Sequence, residues 1–282
     1  MRAVVLLFFA FLGSIHQARA TDFSVLSYNV FLRAPTWVFH DEHDWRTERI
    51  PYFLRGYDAV VLQEAFSEQH RNLIVKALKD EYPYNSGILG EDEFLSFNGG
   101  VIILSRWPIL EMDEIVFKGC DGSDCMVKKG VVYTAIEKQG ERIHLFGLHL
   151  QAQKEHAQAR VGQFPQLQRF MLQQRIPQSE LVLVAGDFNV DYFSNDTNGE
   201  FSQLSSISSL ILPENSPAPS YDHASNTLVD ESVAERLDYI FYSAEHLVPL
   251  TASNEVLHFR QEKLDLSDHH PVAGHFNTGT PK

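Results

Sequence analysis

Residues 23–30 read Phe23-Ser24-Val25-Leu26-Ser27-Tyr28-Asn29-Val30, a β-rich run with a polar residue near its end. Apolar and small polar residues alternate with the period of a strand. Working outward, residues 45–55 have helical spacing closed by Gly56, and residues 58–63 form a short apolar run of buried-strand type. Residues 68–81 predict a second helix with Leu73, Ala77 and Leu78 on one face, ended by Pro83. This βαβα opening gives way to strand runs at 100–105, 109–117, 131–137 and 143–150, joined by turns such as Gln139-Gly140, which predict an antiparallel meander. Helical periodicity returns at 156–176, where Pro165 predicts a kink or break. A buried strand follows at 181–186. Residues 191–226, rich in Ser and Asn and containing Pro213, Pro217 and Pro219, read as a surface excursion around one short helix. Strands at 237–242 and 271–276 close the chain. With no repeat or linker dividing it, the pattern predicts one α/β domain of two packed sheets covered by helices outside, a four-layer α-β-β-α sandwich.

The 282 residues, 44% of them apolar, suffice for a sizeable core and match no disordered, collagenous or coiled-coil composition. With 23 Lys+Arg against 37 Asp+Glu the net charge is −14, which disfavours a broad electrostatic footprint on a polyanion. Phosphate chemistry in such a chain must be local, and a metal ion is the expected source of positive charge.

Residues 1–20 read as an export signal: Arg2 supplies a positive start, residues 3–12 are an apolar run of secretory length, and Ala18-Arg19-Ala20 is a small-x-small cleavage site. The run is too short for the ~20 residues that span a bilayer, so the mature chain from residue 21 is expected in the periplasm or outside the cell, a retained anchor being the alternative. Cleavage removes Arg2 and Arg19, leaving 21 bases against 37 acids and a net −16. Export permits Cys120 and Cys125 to pair across the turn-forming Asp121-Gly122-Ser123-Asp124, the alternative being two inert thiols. A ring this small removes only about 2 kcal/mol of chain entropy and would pin a loop.

Polar residues that a strand core should avoid recur where apolar β runs end: Asn29, Glu64, His149, Asp187 with Asn189, Asp238, and Asp268 with His269. Each is read as following its run, where rigid strands aim side chains toward converging loops. Singly, such residues are commonly turn formers. As a set they carry the matching blocks Ser27-Tyr28-Asn29-Val30, Leu62-Gln63-Glu64, Gly147-Leu148-His149-Leu150, Gly186-Asp187-Phe188-Asn189, Leu237-Asp238-Tyr239-Ile240 and Ser267-Asp268-His269-His270-Pro271.

These blocks resemble the endonuclease/exonuclease/phosphatase superfamily with the deoxyribonuclease I-like fold. Within it the chain looks most like the secreted bacterial sphingomyelinases C, through residues 99–109, Lys118-Gly119-Cys120, residues 129–134 and His149-Leu150-Gln151-Ala152. The resemblance implies a Mg²⁺ site, open to Mn²⁺ or Co²⁺, built from Glu64 and Asn29 with Asp268 nearby. It implies a general base at His269 oriented by Asp238, water positioned by Asp187, and phosphoryl charge stabilised by His149 and Asn189. It also makes Cys125 the local partner of Cys120, because no cysteine follows His149.

Elementary chemistry agrees with these roles. Mg²⁺ takes oxygen ligands and only one or two carboxylates. Imidazole has the pKa to activate water near neutrality, and adjacent residues of an extended chain face opposite ways, so His269 and His270 cannot both face one site. The remaining histidines, including His40, His43, His144, His156 and His258, read as solvated or core-satisfied.

The acidic balance points away from a nucleic-acid substrate and toward a zwitterionic sphingolipid at a bilayer surface, whose choline group suits aromatic faces. Trp37, Phe39, Trp45, Phe66, Tyr192 and Phe193 are candidate rim aromatics. Haemolytic members of the family carry an aromatic-tipped hairpin before the terminal Asp-His. Residues 242–266 have no tryptophan, and Phe259 is the one aromatic between Tyr242 and Leu266. No protein partner is inferred. The competing readings are an exported nuclease or phosphatase with the same site, and a membrane-binding module without catalysis.

Overall fold

The computed structural model describes residues 21–33, 42–93, 96–194, 199–213 and 217–279. The leader at 1–20, Trp37, Phe39 and His40 lie outside them. In chain order the elements are β1 (Asp22–Leu32), α1 (His43–Phe53), β2 (Ala59–Ala65), α2 (Glu68–Ala77), β3 (Tyr84–Asn85), β4 (Ile102–Ser105), β5 (Ile109–Val116), β6 (Gly130–Lys138), β7 (Glu141–His149), α3 (Ala157–Gln173), β8 (Leu181–Asp187), α4 (Glu200–Ser208), β9 (Leu210–Ile211), β10 (Tyr221–Asp222), β11 (Ala234–Glu235), β12 (Asp238–Ser243), β13 (Thr251–Val256), β14 (Arg260–Gln261), β15 (Leu264–Asp265) and β16 (Val272–Asn277). Two six-stranded sheets, ordered β13-β16-β1-β2-β4-β3 and β5-β6-β7-β8-β12-β9, form the centre. Each contains one parallel pair, β1 with β2 and β7 with β8, whose connection passes through α1 or α3.

Period-two alternation divides each strand between two cores. On β1, Phe23 and Val25 meet Ala59, Val61, Ile103, Ile143, Leu145 and Leu183 between the sheets, while Leu26, Tyr28, Val30 and Leu32 join Ile50, Leu54, Ile74 and Leu78 under α1 and α2. On the other sheet, Phe146, Leu148, Val182, Val184, Tyr239 and Phe241 pack with Phe164, Leu167 and Phe170 of α3 and Leu204 of α4. The four-layer α-β-β-α sandwich is therefore the observed architecture.

Three local expectations are corrected. The strand at 100–105 is not part of the meander, because β4 pairs with β2 in the first sheet, leaving β5-β6-β7 as the antiparallel run. α3 continues through Pro165, since Phe164 and Leu167 anchor both sides of the proline in the core and outweigh the missing N–H. On α2 the buried positions are Arg71 and Ile74, followed by Leu78 at the C-cap; Leu73 is 48% exposed, one helical step off the packed face, and Ala77 is also exposed.

The inter-sheet rows end in polar groups. After Val25 come Ser27 and Asn29; after Val61 comes Gln63, whose amide donates to Ser27 Oγ at 3.2 Å. After Ile143 and Leu145 come Gly147 and His149, and after Leu183 and Ala185 comes Asp187. The sheets approach closely at Gly147, where an added Cβ would lie 2.6 Å from Val61 Cγ1 and 3.1 Å from Ile103 Cγ1 on the facing sheet. Gly147→Ala should therefore cost about 1–3 kcal/mol by overpacking, read as a lower urea midpoint.

His144, on the outer face of β7, is buried between the Tyr133 hydroxyl at 2.7 Å and Glu180 at 2.5 Å. Burial holds its pKa below the ordinary imidazole value, against the opposing pull of Glu180. The unfolded chain thus takes up the proton first, and this contribution to stability is lost as pH falls below ~6.5. His144→Gln should give a smaller loss of urea midpoint than wild type between about pH 7 and pH 5.

Candidate active site

Register brings three of the predicted residues side by side. Asp187 pairs with His149 across the parallel β7-β8 ladder and with Asp238 across the antiparallel β8-β12 ladder. All three therefore project from one end of the second sheet toward the first. Asp238 opens β12; it does not follow an apolar run as expected from sequence, because β12 runs antiparallel to β8 and its start lies at the site.

The Asp187 carboxylate is the junction. Its Oδ1 accepts from the Asn189 backbone N–H at 3.0 Å, and its Oδ2 accepts from Asn29 Nδ2 at 3.0 Å, across the gap between sheets. The same Oδ2 lies 3.3 Å from His149 Nε2 and 3.8 Å from His269 Nε2. Burial alone would raise the Asp187 pKa, but the neighbouring His269 and His149 hold it well below the usual carboxylate value.

His269 is buried, with Nδ1 2.8 Å from Asp238 Oδ2. Burial disfavours its protonated form, yet Asp238 and Asp187 raise its pKa well above the ordinary imidazole value. Ser220 donates its hydroxyl to Asp238 Oδ2 at 2.7 Å, and Tyr221 packs on the His269 ring at 5.1 Å. His270 faces away as expected: its Nε2 meets Ser225 Oγ at 2.9 Å and its ring packs on His258, and burial followed by His258 pushes its pKa down to about 4.

Glu64 stands at the end of β2 with φ 54°, in the left-handed region, where a non-glycine residue is held by its surroundings. Asn29 Nδ2 donates to its Oε1 at 3.2 Å, and among the described residues no lysine or arginine pairs with it. Asp268 joins this side through Ser267, whose hydroxyl donates to Asn29 O at 2.6 Å and lies 3.2 Å from Asp268 Oδ1. Burial, and then the charge of Glu64, push the Asp268 carboxyl up to about 7 against the pull of His269. Two neighbouring carboxylates beside an amide oxygen suit a hard divalent cation. The Asn29 oxygen already accepts the Phe31 N–H at 3.1 Å, which leaves one lone pair for such an ion. Asp187, Asp238 and His269 also place ligand atoms within 4.8 Å of one another, although the Asp238–His269 hydrogen bond occupies one donor of that set.

Asn189 is placed at the rim with φ 52° and donates one amide hydrogen to Leu150 O at 3.1 Å. Cys120 and Cys125 form a disulfide. Of the rim aromatics, Tyr192 and Phe193 are exposed, Trp45 is half-buried against the helix-side core, and Phe66 is buried beside Gly100, so it belongs to the interior. Phe259 is likewise core, edge-on to Tyr28 at 5.4 Å.

Several site residues were missed in the sequence. Lys129, immediately before β6, is buried with Nζ 2.7 Å from His149 Nε2 and 3.3 Å from Asp124 Oδ2. It obeys the same rule of polar residues at strand ends and could have been found by it. Arg46 of α1 is buried, donating from Nη1 to Val30 O at 2.8 Å and Leu266 O at 3.1 Å, and from Nη2 to Phe31 O at 2.6 Å. It ties the exit of β1, which carries Asn29, to the loop that carries Asp268.

A sequence model of the endonuclease/exonuclease/phosphatase family matches residues 26–269. The chain belongs to this family. Among its curated relatives, a sphingomyelinase C from Bacillus cereus is 33% identical, with 93% of this chain and 92% of that protein covered. Sphingomyelinase C 2 of Leptospira interrogans is 30% identical over 92% of the chain, which spans only 46% of that longer relative. Among solved structures of the family, a mutant beta toxin from Staphylococcus aureus with bound magnesium ions superposes with a TM-score of 0.80 at 27% identity, covering 90% of this chain and 99% of that one.

Arg46→Met keeps the aliphatic stem but leaves three backbone carbonyls without their charged donor. The loss should be about 1–3 kcal/mol per unsatisfied buried group at most, seen as a lower thermal midpoint.

Proposed function

We propose that this chain is an exported, Mg²⁺-dependent phosphodiesterase that hydrolyses sphingomyelin to ceramide and phosphocholine. Residues 21–282 act as one catalytic domain behind a cleaved signal at 1–20. The observation that carries the chemistry is the hydrogen-bonded Asp238–His269 pair facing Asp187, with Glu64 and Asn29 across the inter-sheet gap. The substrate reading is supported by the sphingomyelinase C relatives and by the net acidic composition, which does not favour a polyanion.

His269 Nε2 is the base in its neutral form, which a cation held by nearby Glu64 and Asn29 would favour against the upward pull of Asp238 and Asp187 on its pKa. Its Nδ1–H donates to Asp238, which fixes the tautomer and stabilises the imidazolium formed when Nε2 takes the proton of the attacking water. Asp187 Oδ2, near His269 Nε2, accepts the second hydrogen of that water and aims its oxygen at phosphorus. Lys129 donates to His149 Nε2, which places the ring hydrogen on Nδ1, a buried atom without a hydrogen-bond partner among the described residues. The remaining Asn189 amide hydrogen would serve a phosphoryl oxygen, and the Lys129–His149 pair would add positive charge at the same end of the second sheet. Glu64 and Asn29, with Asp268 beside them, would hold a divalent cation, which would supply positive charge against the charge developing on the phosphoryl and leaving groups.

Among the described residues no helix is long and apolar enough to cross a membrane. The described part of the segment before Asp268 carries no exposed aromatic, so the lipid is met at the bilayer surface without an aromatic-tipped hairpin.

Purified protein should release phosphocholine from sphingomyelin vesicles with Mg²⁺, and EDTA should abolish the release reversibly. His269→Ala and Asp238→Ala should each lower kcat about 10³-fold, and Glu64→Gln should raise the Mg²⁺ concentration needed for half activity at least about tenfold. Turnover that survives EDTA, or plasmid nicking without phosphocholine release, would overturn the reading.

A further inference from the structure

The disulfide loop reaches the catalytic centre through a continuous chain of contacts. Asp124, next to Cys125, accepts the Ala152 N–H through Oδ2 at 2.7 Å and pairs with Lys129 Nζ at 3.3 Å. Lys129 in turn lies 2.7 Å from His149 Nε2, which lies 3.3 Å from Asp187 Oδ2. A second clasp runs from Asp121, whose N–H donates to Gln151 Oε1 at 2.9 Å and whose carbonyl accepts from Gln151 Nε2 at 3.1 Å. Both clasps hold the segment that follows His149.

Phe117 and Val127 are buried on either side of this loop, and the residues between them are not held by apolar packing. Its 3-10 turn, Gly122–Met126, contains no buried residue, and both cysteines are exposed. Asp124 itself is therefore placed by hydrogen bonds, including the one from the buried Val127 N–H to its carbonyl, by its ion pair and by the covalent ring. Burial alone would raise its pKa, but Lys129 and the Ala152 N–H hold the carboxyl below the usual value, so Asp124 stays ionised beside Lys129. Lys129 has its ammonium buried, and a buried cation needs a fixed counter-charge to stay where it is.

We propose that the Cys120–Cys125 disulfide is a positioning element of the active site: it fixes Asp124, which holds Lys129 against His149, so that reducing the disulfide lowers turnover while the fold persists. This rests on the phosphodiesterase reading above. The fold tolerates the loss because so small a ring contributes only about 2 kcal/mol of chain entropy. The reductant is a low-molecular-weight thiol or phosphine. With a phosphine, two electrons pass from phosphorus to the S–S bond; water supplies the oxygen of the phosphine oxide and the two protons of the new thiols.

The experiment compares oxidised and tris(2-carboxyethyl)phosphine-reduced wild type with Cys120→Ser/Cys125→Ser, Lys129→Arg and Lys129→Met. Phosphocholine release gives kcat and KM, circular dichroism gives the thermal midpoint, and the His149 ring resonances report the site without turnover. Reduction should shift those resonances and lower kcat about tenfold, with KM changed less than about twofold and the protein still folded at the assay temperature; reoxidation should restore kcat. The double serine variant should match the reduced enzyme and ignore the phosphine. Lys129→Met should fall about 10²-fold, and Lys129→Arg should recover most of that loss.

Unchanged His149 resonances and kcat on reduction, loss of the folded circular-dichroism signal at the assay temperature, or inhibition of the double serine variant by the phosphine would each overturn the proposal. Oxidised wild type without phosphocholine release would overturn the assigned reaction instead, and the His149 resonances would still decide the positioning claim.

Discussion

A single buried carboxylate sets the terms for the rest of this molecule. Asp187 sits where the ends of two sheets meet, accepts a hydrogen bond from Asn29 on the opposite sheet, and lies beside His149 and His269. A charge taken out of water must be matched by donors and opposite charges in fixed places. The two sheets must therefore keep one separation and one register, and the apolar rows between them, with Gly147 at the narrow point, hold that separation.

The fold was legible because its signal is repetitive. Strands such as 23–30 and 181–186 alternate cleanly, and their grouping around helical stretches leaves few layered solutions. Sequence pattern and structure part where one tertiary contact overrides a local rule. Pro165 did not end α3 because Phe164 and Leu167 are anchored on either side of it, and β4 joined the first sheet through its pairing with β2, a partner that periodicity does not name. The buried side of α2 lies one helical step from Leu73 and Ala77, since Arg71, a charged residue, sits on the packed face and donates to Ala65 O and Phe66 O.

The candidate site was legible to the extent that polar residues stood at the ends of apolar strands. Asn29, Glu64, His149, Asp187, Asp238 and His269 were found in that way and do converge. The supporting groups were not found. Arg46, Ser220 and Ser267 act through backbone carbonyls or a neighbouring side chain, and their sequence contexts are those of ordinary helix and loop residues. Asp124 lies in a turn whose residues also suit turn formation, so its reach to Ala152 and Lys129 is visible only in three dimensions. The second coordination of a site depends on long-range proximity, which residue type alone does not encode.

The pairing of the first strand with the last has a consequence for how the chain acquires this structure. β1 lies in the interior of its sheet, with β2 on one side and β16 on the other, and the β1–β16 register joins Asp22 to Asn277. Until residues 272–277 emerge, β1 presents an open hydrogen-bonding edge and the inter-sheet core lacks Val272 and Phe276. Such non-local closure is slow, because loop-closure entropy is lost before the contacts form. A polypeptide of this topology stays incompletely folded until residues 272–277 have been made, the condition in which a chain can still be threaded through a narrow channel.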